Sequence, residues 1–544
     1  MNRILFLMIM WYSLTANTTF AFDRQDTLRG SNGRGRNWWD VQHYQLTVAF
    51  DTATKSIEGS NVTTARIVGR PADSLQLDLQ ELMFLDSVVM DGIALNFAKE
   101  GNVWWVKYPF SQFDTGHRLV FTAYWHGKPR NAVRPPWDGG FIWSQDSEGN
   151  PWITVACQGL GASSWWACKD YQGDEPDSGM FISLIVPKGL VAVSNGKEYA
   201  DPVIEGDVIS ETRTKFTTGI VNPINTYNAS FYIGDYVSWT DTFAGEKGTL
   251  DLSFHVLRHH EEKARRHFAV TKDMLRCFEY WMGPYPFYED GYKLVETPYL
   301  GMEHQSAIAY GNEYKMGYRG ADRSGTGVGL LFDYIIIHES GHEWFGNNIT
   351  ARDVADNWLH EGFTTYTEAL FVECAFGKEK AYEFTRGEWR NIRNDRNIIG
   401  NYGVHNEGSG DQYDKGAAVV HMIRTIINDD EKFRQLLRGL NRDFYHRIVT
   451  GEEVEDYISR FTGYNFKPLF DQYLRSTDIP RFEYYIKKKE LYFRFTNVAE
   501  GFTLPLTITG RKQTMTIYPN AEWQHVNWKG GYGLELSKDF LITE

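Results

Sequence analysis

From Trp38 to about Ala244 apolar residues recur at every second position, as in Tyr44-Gln45-Leu46-Thr47-Val48-Ala49-Phe50 and Phe181-Ile182-Ser183-Leu184-Ile185-Val186, with turn-forming clusters between the runs. A period of two sets one face of each run against a core and the other in water, which predicts an antiparallel β domain over residues 37–245. Near Gly245 the period lengthens. His259 to Met282 is the first clear helix, and it opens a mainly helical domain over 246–480 that closes with the run Phe466 to Pro480. Alternation returns in Phe482-Glu483-Tyr484-Tyr485-Ile486 and Leu491-Tyr492-Phe493-Arg494-Phe495, so residues 481–544 read as a small C-terminal β-sandwich, with Lys487-Lys488-Lys489 at a solvated turn or edge. The expected class is α+β and multidomain, with no helical C-terminal domain after the small β domain. Ahead of all this, Arg3, the apolar run Ile4 to Tyr12 and Thr19-Phe20-Ala21 form the pattern of a secretory signal peptide over 1–21, too short in its apolar part to span a bilayer. The Gly- and Arg-rich stretch Asp23 to Arg36 reads as a disordered lead-in.

Composition narrows the class of function. The chain has 544 residues, enough for two to four domains, and a formal net charge of −14 with 15% aromatic residues. An acidic chain does not present the phosphate-seeking surface that nucleic acid requires, so no nucleic-acid partner is expected. Beyond the amino terminus no run is apolar enough to cross a membrane, and no stable anchor is expected once the signal is cleaved. The sequence sets no oligomeric state. Of the four cysteines, Cys157 and Cys168 could pair across a short loop, Cys277 and Cys374 sit in helical patterns as plain buried thiols, and four free thiols is an equal alternative. The sequons at Asn61, Asn228 and Asn348 carry no weight outside a eukaryotic secretory route.

The chemistry is concentrated between Asp333 and Glu368. His338 and His342 are four residues apart, and on a helix that spacing stacks both imidazoles on one face, close enough to share one ion. Glu339 stands beside them where a general base for an attacking water belongs. Glu361, nineteen residues beyond His342, supplies a third ligand from a second helix capped by Asp356 or Asn357. Two His and one Glu suit one zinc ion with an open fourth position. Gly341 between the ligands is a poor helix former and implies close packing at that point. Glu368, seven residues after Glu361 on the same helix face, is placed to orient a ligand from behind. Gly325-Thr326-Gly327-Val328-Gly329 lacks the spacing of a nucleotide loop and reads as a flexible approach to the metal helix.

The run His338 to Asn347, with Trp344-Phe345-Gly346-Asn347 after the second His and Glu361-Gly362-Phe363 at this spacing, resembles the gluzincin zinc aminopeptidases, the family of aminopeptidase N and leukotriene hydrolase. Ser340-Gly341 and Glu343 stand where the family usually has Leu-Ala and Gln; none is a ligand position, which implies altered packing with the metal kept. The resemblance implies a saddle-shaped amino-terminal β domain and a thermolysin-like catalytic domain. It implies that Glu303, in Leu300-Gly301-Met302-Glu303-His304, binds the free α-amine of the substrate with help from Gln158, and that Tyr413, in Tyr413-Asp414-Lys415-Gly416, supports the oxyanion. His304 replaces an Asn, and unperturbed it would titrate near pH 6.5.

The expected function is therefore a secreted or periplasmic zinc aminopeptidase acting on peptides with a free amino terminus. The catalytic residues would be Glu339 and Tyr413, the metal ligands His338, His342 and Glu361, and the substrate-binding residues Glu303 and Gln158. The alternatives are a zinc endopeptidase or an epoxide-opening hydrolase on the same site, and an inactive peptide-binding protein on this scaffold.

Overall fold

The computed structural model describes residues 21–198 and 207–544, so the expected signal peptide lies, apart from Ala21, outside the described residues. The alternating segments are strands. Trp39–Asp51 and Ser56–Ile67 pair antiparallel from Trp39↔Ile67 to Asp51↔Ser56 in a nine-stranded sheet, and their inward positions Leu46, Val48, Phe50 and Ile57 are buried. This sheet is mixed rather than purely antiparallel. Trp39–Asp51 pairs parallel with Met180–Pro187, because the chain first crosses to a four-stranded sheet containing Pro151–Ala156 before returning. Ile153, Val155, Phe231 and Ile233 of that second sheet share one core with Val48 and Phe50.

The boundary expected at 245/246 falls at the tip of a hairpin. Tyr236–Gly245 pairs with Gly248–Leu257 along its whole length, and both belong to a five-stranded sheet with Tyr292–Glu296, Ile308–Tyr310 and Gly301–Met302. A hairpin folds as one unit, so the change of sheet comes before Tyr236. The short strand Gly301–Met302 forms one end of this sheet, and Glu303 is the residue that leaves it.

The helices Thr271–Met282 and Tyr334–Gly341 pack on this sheet and are joined by Trp358–Phe376 and Asp414–Ile427. Trp358–Phe376 is the central one, buried from Trp358 to Val372 and in contact with the other three. Glycines set how close they come. A Cβ at Gly341 would lie 2.4 Å from the Thr367 Oγ1, and one at Gly416 would lie 2.8 Å from the Gly362 Cα. Any larger residue at these positions would push the helices apart. Among the described residues no helix follows Leu474; the chain ends in two three-stranded sheets whose Phe493, Phe495, Leu506, Ile508 and Trp528 join the core of the helical domain. Lys488 and Lys489 take positive φ in the turn between Arg481–Lys487 and Glu490–Thr496.

Several local expectations are corrected. The lead-in is ordered. Arg24–Gly30 is a helix with a capping box from Asp23 and Asp26, and Arg36 is fully buried, donating to Asp78 at 2.5 Å, while Arg29 pairs with Asp170. Buried guanidiniums paired in this way fix the backbone that carries them. The Gly325–Gly329 stretch is tied down as well, with Asp322 accepting from Ser324 N, Ser324 Oγ and Gly327 N. Asn357 is the N-cap residue of Trp358–Phe376, as expected, but its side chain makes no capping bond; Asp353 caps the turn before it by accepting from Ala355 N, and Asp356 accepts from Gly451 N and the Tyr402 hydroxyl. Asn61, Asn228 and Asn348 are all buried and do not present glycosylation sites.

The cysteine pairing is the reverse of the one considered. Cys277 and Cys374 form a disulfide between Thr271–Met282 and Trp358–Phe376, and Cys157 and Cys168 are free and buried. The bond closes a sequence separation of 97 and ties the sheet-packed helix to the one carrying Glu361. Cross-linking so long a loop restricts the unfolded chain. Cys277→Ala/Cys374→Ala should lose about 2–4 kcal/mol in urea unfolding, and reductant should bring the wild type to the same midpoint. Equal midpoints with and without the bond would show that it does not stabilise the fold.

Candidate metal centre and active-site cleft

The helix Tyr334–Gly341 starts at Asp333, whose carboxylate accepts from Ile335 N at 2.9 Å and also from the Tyr310 hydroxyl and Asn312. That anchors the amino end. The helix stops at Gly341, but His342 keeps helical backbone angles, so the i, i+4 relation survives and the two imidazole rings lie 5.0 Å apart. His342 Nε2 and His338 Nε2 stand 3.3 and 3.6 Å from the same oxygen, Oε2 of Glu361.

The far side of each ligand is held. His338 Nδ1 is 2.8 Å from Glu368 Oε1, and His342 Nδ1 is 3.0 Å from the Phe345 carbonyl oxygen and 3.2 Å from Thr364 Oγ1. Both contacts turn Nε2 toward the shared point. The His338 ring stacks on Tyr334 at 5.4 Å and lies near-parallel to Tyr413 at 6.0 Å.

These residues fit a zinc ion. Donors bonded at 2.0–2.2 Å in a tetrahedron stand about 3.3 Å apart, close to the separations observed. Glu361 Oε2 is buried and accepts no hydrogen bond, an acceptor that a cation would satisfy. Glu303, Glu339 and His342 also bring donor atoms within 4.8 Å of one another. That second grouping is the weaker candidate, because Glu303 is already engaged: its Oε1 accepts from Gln158 Nε2 at 2.6 Å and from the Tyr227 hydroxyl at 3.0 Å.

Gln158, Glu303, His338, Glu339, His342, Glu361 and Tyr413 line one cleft of about 640 Å³, and Glu368 lies behind it. Three carboxylates, those of Glu303, Glu339 and Glu361, are buried in it together. Burial pushes Glu339 up to about 8 against the pull of His338 and His342. It raises Glu303 too, whereas Glu361, despite its burial, is held well below the usual carboxylate range by His342 and His338. Burial opposes it, yet Glu361 and Glu303 raise His342 to about 10. The end of the cleft where these carboxylates meet is suited to cations.

Sequence reasoning missed three supports. Tyr227 reaches Glu303 from the amino-terminal domain. Asn347 Nδ2 donates to the Glu303 carbonyl oxygen at 2.9 Å and to Glu343 Oε1 at 2.9 Å, and its own Oδ1 accepts from Asn228. Glu343, the departure from the family's Gln, accepts from the Tyr285 hydroxyl and from Ser306 N, so it pins the metal helix to the loop after Glu303. Ser340, the other departure, has its Oγ 2.7 Å from the Tyr292 hydroxyl oxygen. Asn347 had a signal in the sequence as the last residue of the Trp-Phe-Gly-Asn run, and Glu343 as a departure from the family pattern; Tyr227 had none. His304 does not titrate near 6.5, since burial pushes it down to about 3, and its Nδ1 lies 2.6 Å from the Tyr232 hydroxyl oxygen.

Residues 267–473 match the peptidase family M1 domain, the span that holds every metal-ligand candidate and Tyr413. The chain carries a peptidase family M1 domain over this span. That domain and its M1 homologues indicate a zinc metallopeptidase. It is 23% identical over 449 residues to leukotriene A-4 hydrolase of Xenopus laevis, covering 77% of this chain and 68% of that one. It is 23% identical over 466 residues to aminopeptidase N of Lactobacillus helveticus (81% and 51%), and 20% identical over 532 residues to tricorn protease-interacting factor F2 of Thermoplasma acidophilum (92% and 63%). The chain thus spans between about half and two thirds of these relatives' lengths. Among solved structures, the M1 zinc metallopeptidase of Deinococcus radiodurans shares the fold at a TM-score of 0.67 and 18% identity, covering 82% of this chain and 96% of that one. A mutant of the same protein bound to a Tyr-Ser-Ala substrate aligns with a TM-score of 0.67, 19% identity and coverage of 81% and 95%.

Glu361→Ala should abolish stoichiometric zinc, and Glu368→Ala should weaken zinc affinity by about 10–100-fold, whereas Glu339→Gln should retain it. Metal analysis after dialysis reads all three. Full zinc in Glu361→Ala would remove that residue from the coordination sphere.

Proposed function

We propose that this protein is an exported zinc aminopeptidase that removes single residues from peptides with a free amino terminus. The observation that carries the reading is Glu303: a buried carboxylate, steered by Gln158 and Tyr227, in the same cleft as the metal ligands. A substrate ammonium entering this space loses its water and needs a fixed anion, and Glu303 supplies one. An endopeptidase has no use for that arrangement.

When bound, zinc supplies Lewis-acid polarisation of the scissile carbonyl and lowers the pKa of the attacking water. Glu339 takes the water's proton and returns it to the leaving amine. Its carboxylate faces Gly301, where a Cβ would stand 2.6 Å from Glu339 Oε1, so only glycine leaves it room. Tyr413 donates its hydroxyl to the oxyanion as it forms. The phenol is brought there by the approach of Gly416 to Gly362, which docks the helix start against the Glu361 helix. Burial raises the Tyr413 hydroxyl well above its ordinary range, so it stays a donor.

Export is supported by the signal-like start of the sequence and by the Cys277–Cys374 bond, a feature of oxidising compartments. Among the described residues no helix is long and apolar enough to cross a membrane.

N-acetylated peptides should be nearly inert, and Glu303→Ala should reduce kcat/KM for free-amine peptides by about 2–5 kcal/mol. Tyr413→Phe should keep KM and lower kcat by about 10²–10³-fold. Efficient, chelator-sensitive internal cleavage of an acetylated peptide would assign an endopeptidase instead.

A further inference from the structure

The chain between the helices Lys378–Glu388 and Asp414–Ile427 forms one wall of the cleft, and it carries Arg393 and Arg396 on that wall. On a protein of net charge −14, two cations facing an active-site cleft require an explanation. Arg323, the third arginine of the cleft, has one: it donates to both Asp414 oxygens at 2.9 and 3.0 Å and packs on Tyr318 and Tyr334. Among the described residues, neither the Arg393 nor the Arg396 guanidinium makes a hydrogen bond or an ion pair; Arg393 engages only through its backbone N–H, on Asp411. Arg396 pairs with neither Glu407, which burial raises, nor Asp395, which the Ser409 hydroxyl holds low.

The segment that presents them is fixed. Asp411 accepts the backbone N–H groups of Arg393 and Asn394, and Asn394, at φ 54°, also receives Lys415 Nζ on its Oδ1 at 2.7 Å. Ile398 is buried and bonds through its N–H to the Leu474 carbonyl oxygen. The Arg393 guanidinium lies over Gly410, three residues before Tyr413: a Cβ there would stand 2.8 Å from Nη2. Both guanidiniums are exposed and unpaired on a fixed stretch of backbone that lines the same cleft as Tyr413, so they offer an anion a bidentate cationic face.

Resting on the aminopeptidase reading, we propose that Arg393 and Arg396 bind an anionic group of the substrate downstream of the scissile bond, so that the preferred substrates are short peptides whose free carboxylate, or an acidic side chain, reaches this wall. Glu303 then holds the ammonium end and the arginines the anionic end of one molecule.

Binding separates this from the parent reading. Zinc-loaded Glu339→Gln protein is titrated calorimetrically with Ala-Ala-Ala as the free acid, its C-terminal amide, and Ala-Asp-Ala amide. The free acid should bind about 10-fold or more tightly than its amide, the scale of a charge-assisted hydrogen bond, and the advantage should shrink as salt rises from 0.05 to 0.5 M. Preference for the aspartyl amide over the alanyl amide assigns the anion to a side chain and also supports the site. Arg393→Gln/Arg396→Gln in the same background should erase the preference, and Arg393→Lys/Arg396→Lys should restore part of it. Because each comparison is a ratio within one folded protein, a general loss of stability does not imitate the result. Equal affinity for all three peptides, or a preference that survives the double Gln variant, overturns the proposal. Failure of the wild type to hydrolyse alanine p-nitroanilide would instead count against the aminopeptidase reading and leaves the binding ratio to decide this one.

Discussion

The structure depends on burying three carboxylates in one cleft. Glu303, Glu339 and Glu361 lie almost wholly out of water, and Glu361 Oε2 has no donor of its own. Left alone, such a cluster would take up protons or pull water in. On the function proposed above, two of the three have cationic counterparts: a metal for Glu361, with His338 and His342 on the same point, and a substrate ammonium for Glu303. Glu339 lies between the two tasks, with its proton affinity raised by burial.

Holding that cluster requires the domains to act together. Glu303 leaves a short strand of the five-stranded sheet, yet its carboxylate is bonded by Gln158 and Tyr227 from the amino-terminal domain, and its carbonyl oxygen by Asn347 from beyond the metal helix. Glu343 ties the metal helix back to Ser306. Three glycines let the helices come within reach: Gly341 against Thr367, and Gly362 against Gly416. The first contact seats the Glu368 helix behind His338. The second brings Tyr413 to the cleft.

What the sequence revealed follows from which interactions are local. The His338–Glu339–His342 arrangement is set by helical period alone, and strands such as Tyr44 to Phe50 are set by alternation, so both could be read directly. Glu361 required a longer motif, and Glu303 and Tyr413 required resemblance. Pairings between distant residues left no local trace. Nothing in Gly30 to Arg36 announces that Arg36 will be buried on Asp78, so an ordered segment read as disordered. Cys277 and Cys374 looked like ordinary helix-core thiols, because the packing that brings their helices together is visible only in three dimensions. Tyr227 and Asn228 stand in a short turn whose only sequence signal was a sequon, and their roles exist only once Glu303 and Asn347 have folded against them. The N-cap at Asn357 could be read, but not the cap of the preceding turn by Asp353 or the pairing of Asp356 with Gly451.

The central claim is that one buried anionic cleft holds a metal at His338, His342 and Glu361 and a peptide amine at Glu303. Anomalous diffraction at the zinc edge from crystals of Glu339→Gln soaked with a free-amine tripeptide tests both halves in one map. The account predicts a single strong peak bounded by His338 Nε2, His342 Nε2 and Glu361 Oε2, with the peptide amine within hydrogen-bond reach of Glu303. A peak elsewhere, or a peptide running through the cleft with its amine remote from Glu303, would contradict it.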